Sequence, residues 1–120
     1  MKRTGPTNIH LRLLISKLRK YSRMYNAPVW RDVAEFLERP RRKRVEVNLG
    51  DIDRYINEGD VVVVPGKLLG GGTITKTNVT IAAWRFSRSV PRRLDGNVKL
   101  LSIEELLEQN PEGKGVKIIA

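Results

Sequence analysis

The sequence predicts an α/β fold, in which a basic helical N-terminal arm precedes a body of short strands alternating with short helices. Three observations predict it. From residue 45 onward, strand-like and helix-like patterns follow one another, as a layered α/β body requires. The unbroken β-branched run Val61–Val64 suits a strand covered on both faces. Residues 1–44 hold 13 Lys and Arg against 3 Asp and Glu, residues 45–97 hold 7 against 6, and residues 98–120 hold 3 against 4. The formal charge of +10 is thus a block grafted onto a near-neutral body, and such a block is a surface for a polyanion. Nucleic acid is the first such polyanion and an anionic membrane the second.

With 120 residues, 40% of them hydrophobic, the chain is expected to form one domain, residues 1–120, with the arm at 1–44 and the body at 45–120. No apolar run approaches the roughly 20 residues of a membrane helix. Met1–Pro6 lacks the apolar stretch of a signal peptide, so a soluble, cytoplasmic protein is expected. The absence of Cys removes disulfides, thiolate metal sites and Cys nucleophiles. His10 is the single histidine, so neither a metal centre nor a cofactor is expected.

In the arm, Thr7 or Asn8 is placed to cap a helix from about Ile9 to Tyr25. At about 100° per residue, Leu11, Leu14, Leu18, Tyr21 and Tyr25 fall within an arc of roughly 80°, and Arg12, Arg19 and Arg23 line the far side. One face packs, and the other is a cationic stripe or a solvated helix face. Ala27-Pro28 opens a second helix, with Val29, Val33, Phe36 and Leu37 at helical spacing up to Arg39 and Pro40 as the stop. Arg39-Pro-Arg-Arg-Lys-Arg44 follows as a dense cationic loop, whose like charges repel unless a polyanion neutralises them. A nuclear-localisation or heparin-type patch has the same composition.

In the body, Val45–Val47 reads as a brief strand. Asn48 caps a short helix from Leu49 to Asn57, with Asp51 and Asp53 favoured by its N-terminal dipole. As a general acid and base these two carboxylates lack every other catalytic companion. After Val61–Val64 comes Pro65-Gly-Lys-Leu-Leu-Gly-Gly-Gly72, read as a glycine-rich loop. A nucleotide phosphate loop requires G-x-x-x-x-G-K-[ST], but Leu68 follows Lys67 and no Gly precedes Gly66 at the needed spacing. The dinucleotide pattern fails too, with Thr75 at its third Gly position. These glycines instead permit positive φ or close backbone approach, to a neighbouring segment or to RNA. Val79–Phe86 is a second long strand, and Ser89 with Pro91 starts a helix of one to two turns before an Asp95-Gly96 turn. Val98–Leu101 is a third strand, Ser102-Ile-Glu-Glu105 is a capping box opening a helix to about Gln109, and Val116–Ile119 is the last strand.

Ordered segments along nearly the whole chain carry a resemblance. They are Val47-Asn-Leu-Gly-Asp-Ile-Asp-Arg-Tyr55, Val62-Val-Val-Pro-Gly-Lys-Leu-Leu-Gly70, Val79-Thr-Ile-Ala-Ala83 through Phe86-Ser87, and Asn110-Pro-Glu-Gly113, together with Ala27-Pro-Val-Trp-Arg-Asp-Val-Ala34 and Arg39-Pro-Arg-Arg42. In these the chain resembles the archaeal and eukaryotic "L eighteen e" family of large-subunit ribosomal proteins, related through its C-terminal half to bacterial "L fifteen". It departs after Ser87, where Val90 stands in place of an Ala and Asp95-Gly96-Asn97 shortens the connection.

The resemblance implies a body built as an irregular superhelix of strand-strand-helix units and a structural role in the large subunit with no enzymatic activity. It also implies large-subunit rRNA and neighbouring ribosomal proteins as partners, with neither a membrane nor a small-molecule substrate. Lys and Arg side chains would then displace condensed counterions from phosphates, with RNA shape supplying specificity. The rRNA-binding residues expected in the arm are Lys2, Arg3, Arg12, Lys17, Arg19, Lys20, Arg23, Arg39, Arg41, Arg42, Lys43 and Arg44. In the body they are Lys67, Arg85 and Arg88.

Overall fold

The computed structural model describes residues 8–40, 44–94 and 98–120. The expected contacts Lys2, Arg3, Arg41, Arg42 and Lys43, and the Asp95-Gly96 turn, lie outside the described residues. The rest is an α/β fold in which every strand pairing is parallel.

Helix α1 (Ile9–Met24) starts at Asn8, whose Oδ1 accepts hydrogen bonds from the backbone N–H groups of His10 and Leu11 at 2.9 and 3.2 Å. It buries Leu11, Leu14, Ile15 and Leu18. Tyr25, expected on that face, is exposed instead. The helix ends as Asn26 turns to φ 51°, so Tyr25 leaves the helical phase and Ile15 completes the buried stripe. Helix α2 (Pro28–Leu37) opens on its proline and buries Trp30, Val33, Ala34 and Leu37, a stripe turned from the expected one so that Val29 and Phe36 are only partly covered. It stops at Leu37, short of Arg39. Trp30 is fully buried because its Nε1–H finds the Pro111 carbonyl at 2.8 Å.

Strand β1 (Val45–Asn48) leads into α3 (Leu49–Asp53), closed by a reciprocal capping box between Asn48 and Asp51. This helix ends at Asp53 and not at Asn57, so Asp53 sits at its C-terminal end and turns away to accept hydrogen bonds from Thr75. Strand β2 (Val61–Leu69) is the centre of the sheet, and β3 (Val79–Phe86) covers one edge of it. The other edge is divided, with β5 (Val116–Ile118) pairing Val61–Val63 and β1 pairing Gly66–Leu69. Helix α4 (Val90–Arg93) is a single turn. Strand β4 (Val98–Ser102) flanks β3, and α5 (Ile103–Gln109) opens on the expected Ser102–Glu105 capping box.

The Pro65–Leu69 stretch, read from sequence as loop, is strand. Two conditions let it continue. The β2–β3 register shifts between Val64 and Lys67, so Pro65 sits where a missing N–H breaks no ladder bond. On the other side β1 pairs with this half of the strand, and a Cβ on Gly66 would stand 2.1 Å from the Val45 carbonyl oxygen. Only glycine admits that approach.

The sheet is covered on both faces, as the Val61–Val64 run predicts. Val63, Ala82 and Leu101 point to the side packed by α1, α2 and α5. Val62, Val64, Leu68, Val79, Ile81 and Ala83 point to the side packed by Leu49, Ile52, Ile56 and Val90.

The connection 70–78 carries no helix, although β2 and β3 are parallel neighbours. It must return along about 30 Å of strand, so it runs extended beside α3 and is pinned there. The Gly50 N–H donates to the Gly71 carbonyl at 2.8 Å, and the Gly71 N–H donates to Asn48 Oδ1 at 3.0 Å. A Cβ on Gly72 would lie 2.7 Å from Gly50 Cα, so the glycines here serve contact with a neighbouring segment of the chain.

Candidate nucleic-acid interface

The fold sorts the charged side chains into those satisfied internally and those left outward. In the body, carboxylates hold the 70–78 connection and the C-terminal strand. Asp53 accepts from Thr75 N–H and Oγ1 and lies 3.4 Å from Lys76 Nζ. Burial pushes the Asp53 carboxyl up, but the Thr75 hydrogen bonds and the Lys76 ammonium outweigh it and hold it below its ordinary value. Glu58 accepts from Thr77 Oγ1 and N–H, which lower its pKa. Asp60 is held low by the Lys117 ammonium at 2.7 Å and by the Asn57 N–H. Lys76 and Lys117 are thereby spent on the fold.

The arm is different. On α1, Arg12, Lys20 and Arg23 are exposed and have no carboxylate within ion-pair distance among the described residues. Arg19, expected on the same stripe, is engaged by Glu38 at the end of α2 and ties the two helices together. Lys17 is partly buried with its ammonium 5.9 Å from the centre of the Tyr21 ring. Arg39 lies 4.4 Å over the Phe36 ring, and its carbonyl accepts from Arg44 Nε at 3.3 Å, so both ends of the expected basic loop are anchored to protein.

A second group forms where β1, β2 and β3 run side by side. Glu46, Lys67 and Arg85 occupy one row of the sheet, Glu46 beside Lys67 and Lys67 beside Arg85, and all three are exposed. Neighbouring strands are about 4.8 Å apart, so the row spans roughly 10 Å. Arg85 also lies 5.6 Å from the Trp84 ring. Arg88 is exposed just past the end of β3, where the Ser87 N–H donates to the Leu68 carbonyl and keeps this turn at the end of β2. The register therefore sets Lys67 beside Arg85, with Arg88 exposed just past the end of β3, while Arg12, Lys20 and Arg23 are exposed on α1. Sequence reading did not find Glu46 as the neighbour of Lys67, because nothing local pairs residue 46 with residue 67.

No polar or charged side chain is buried among the described residues, and none of their His, Asp and Glu form a group of three able to hold a metal ion. No described helix is long and apolar enough to cross a membrane. Chemically, the outward groups offer charge and hydrogen-bond donors to phosphate rather than an enclosed cavity.

No protein-family model matches the chain. Curated relatives match over nearly its full length. It is 52% identical to the large ribosomal subunit protein eL18 of Methanopyrus kandleri, over 97% of this chain and 95% of that protein. It is 49% identical to the eL18 of Pyrobaculum aerophilum, with the same coverage. Identity to the eL18 of Methanococcus maripaludis is 46% over the whole of both chains. A basic α/β protein that aligns end to end at about half identity with these relatives belongs to the eL18 family of large ribosomal subunit proteins.

Proposed function

We propose that this chain is a structural, non-enzymatic constituent of the large ribosomal subunit that fastens rRNA through its basic arm and through the sheet-end group Lys67, Arg85 and Arg88, and so supports translation. It works inside the ribosome, beside rRNA and other ribosomal proteins. The observation that carries the residue-level reading is the division of charge. The described body pairs Asp53 and Asp60 with its own lysines, while Arg12, Lys20 and Arg23 have no carboxylate partner among the described residues. An uncompensated cationic stripe on a rigid helix releases counterions when phosphates replace them. The basic residues of the segment Arg39 to Arg44, and Lys2 and Arg3, add further positive charge for phosphate. Arg19 and Lys17 act chiefly by bracing α1, through Glu38 and Tyr21.

Two measurements test the reading. Most of the cellular protein should co-sediment with large subunits at moderate salt, and a free-standing regulator would not. In rRNA binding, Arg12→Ala with Arg23→Ala should make log K against log salt shallower by about 0.7 to 0.9 per lost phosphate contact. An unchanged slope removes α1 from the RNA-binding surface.

A further inference from the structure

Helix α1 has a third face that neither the core nor the arginine stripe uses. Ile9, Leu13 and Met24 are 67%, 63% and 59% exposed, although each is large and aliphatic. On the helical wheel they share an arc of roughly 60° with Lys20, directly opposite the buried Leu11, Leu14, Ile15 and Leu18. From Ile9 to Met24 the line is about 22 Å long. Single exposed apolar side chains are ordinary, but this line lies where a one-sided surface helix carries its most polar residues. Its steps, four, three, four and four residues through Ile9, Leu13, Ser16, Lys20 and Met24, keep the line on one side of the helix, as the ridge of a helix packing against another does.

We propose that this line docks an α-helix of a neighbouring protein in the large subunit, one with aliphatic side chains along its contact stripe and a carboxylate opposite Lys20. The inference rests on the reading above that the chain is built into that subunit. The chemistry selects the occupant. Aliphatic side chains gain nothing from phosphate, and the arginines that would serve RNA lie on the adjoining face at Arg12 and Arg23. A second copy of the chain fits poorly, because α1 contains no Asp or Glu and so offers no carboxylate to Lys20 when the line is paired with itself. An acidic amphipathic helix satisfies both the aliphatic positions and Lys20.

Two experiments on purified, salt-washed large subunits test this. Carbodiimide treatment of subunits with the unaltered protein should couple Lys20 to an Asp or Glu on a helical segment of another ribosomal protein, mapped by mass spectrometry. A photoreactive benzoylphenylalanine in place of Leu13 should form its adduct with that same segment, and adding Ile9→Ser with Met24→Ser should cut the adduct yield several-fold while incorporation is unchanged. An uncoupled Lys20, or a Leu13 adduct to rRNA, to a second copy, within the chain itself or to nothing, overturns the proposal. Absence of the unaltered protein from large subunits would instead refute the reading of its function.

Discussion

Gly66→Ala should loosen β1 from the sheet, and the geometry sets the size of the effect. The new Cβ would stand 2.1 Å from the Val45 carbonyl oxygen and 2.9 Å from its carbon, both backbone atoms that no rotamer change can move. Relief needs about 1 Å of separation, because ordinary carbon–oxygen contacts begin above 3 Å. That movement strains the ladder from Val45–Gly66 to Asn48–Leu69 and uncovers Val45 and Val47, now 8% and 5% exposed. Overpacking of this kind costs about 1 to 3 kcal/mol, and each weakened ladder bond adds on the order of 0.5 to 1 kcal/mol. A total near 3 kcal/mol lowers the Tm of a chain this size by roughly 10 °C. Thermal unfolding of the full chain followed by circular dichroism measures it directly. A Tm within about 2 °C of the parent would refute the close approach, and with it the assignment of Pro65–Leu69 to strand.

Val63→Asp should prevent folding, because Val63 is fully buried between the sheet and the helices, and an unpaired carboxylate there costs several kcal/mol against a total stability of about 5 to 15 kcal/mol; a cooperative melt like the parent's would contradict the central strand. Asp53, Glu58 and Asp60 have native pKa values below their ordinary ones of 3.8 for Asp and 4.5 for Glu, so the stability they contribute is present above those values and is lost as pH falls through the lowered native ones. Urea unfolding between pH 7 and 2.5 should therefore show a fall in stability at the acid end that Asp53→Asn flattens, and an identical profile in the variant would sink the linkage. Lys67→Ala should weaken rRNA association by less than about tenfold with Tm nearly unchanged, since the side chain is exposed on a strand whose neighbours hold the fold. ATP or GTP hydrolysis that vanished with this substitution would overturn the non-enzymatic assignment.

The sequence alone was enough wherever a local rule decides. The Ser102–Glu105 and Asn48–Asp51 capping boxes lie within one turn, so the starts of α5 and α3 are legible from residue types. The Val79–Phe86 pattern marks β3 at the ends it takes, and the Val61–Val64 run marks a strand covered on both faces. The basic arm needs only a count of charges, and the family resemblance needs only ordered matching segments. Tertiary structure decided whatever depends on a partner far along the chain. Pro65–Leu69 looks like loop until β1 supplies the edge it pairs with, and the shift in register removes the need for a proline N–H. Asp53 looks like a helix N-terminal charge until Thr75 and Lys76 draw it across. Arg19 belongs to a cationic stripe on the wheel but to Glu38 in space, 19 residues away. Trp30 is buried with its N–H satisfied by the Pro111 carbonyl, 81 residues on. Such pairings return little energy until distant segments have been brought together at an entropic cost, so no short window of sequence records them.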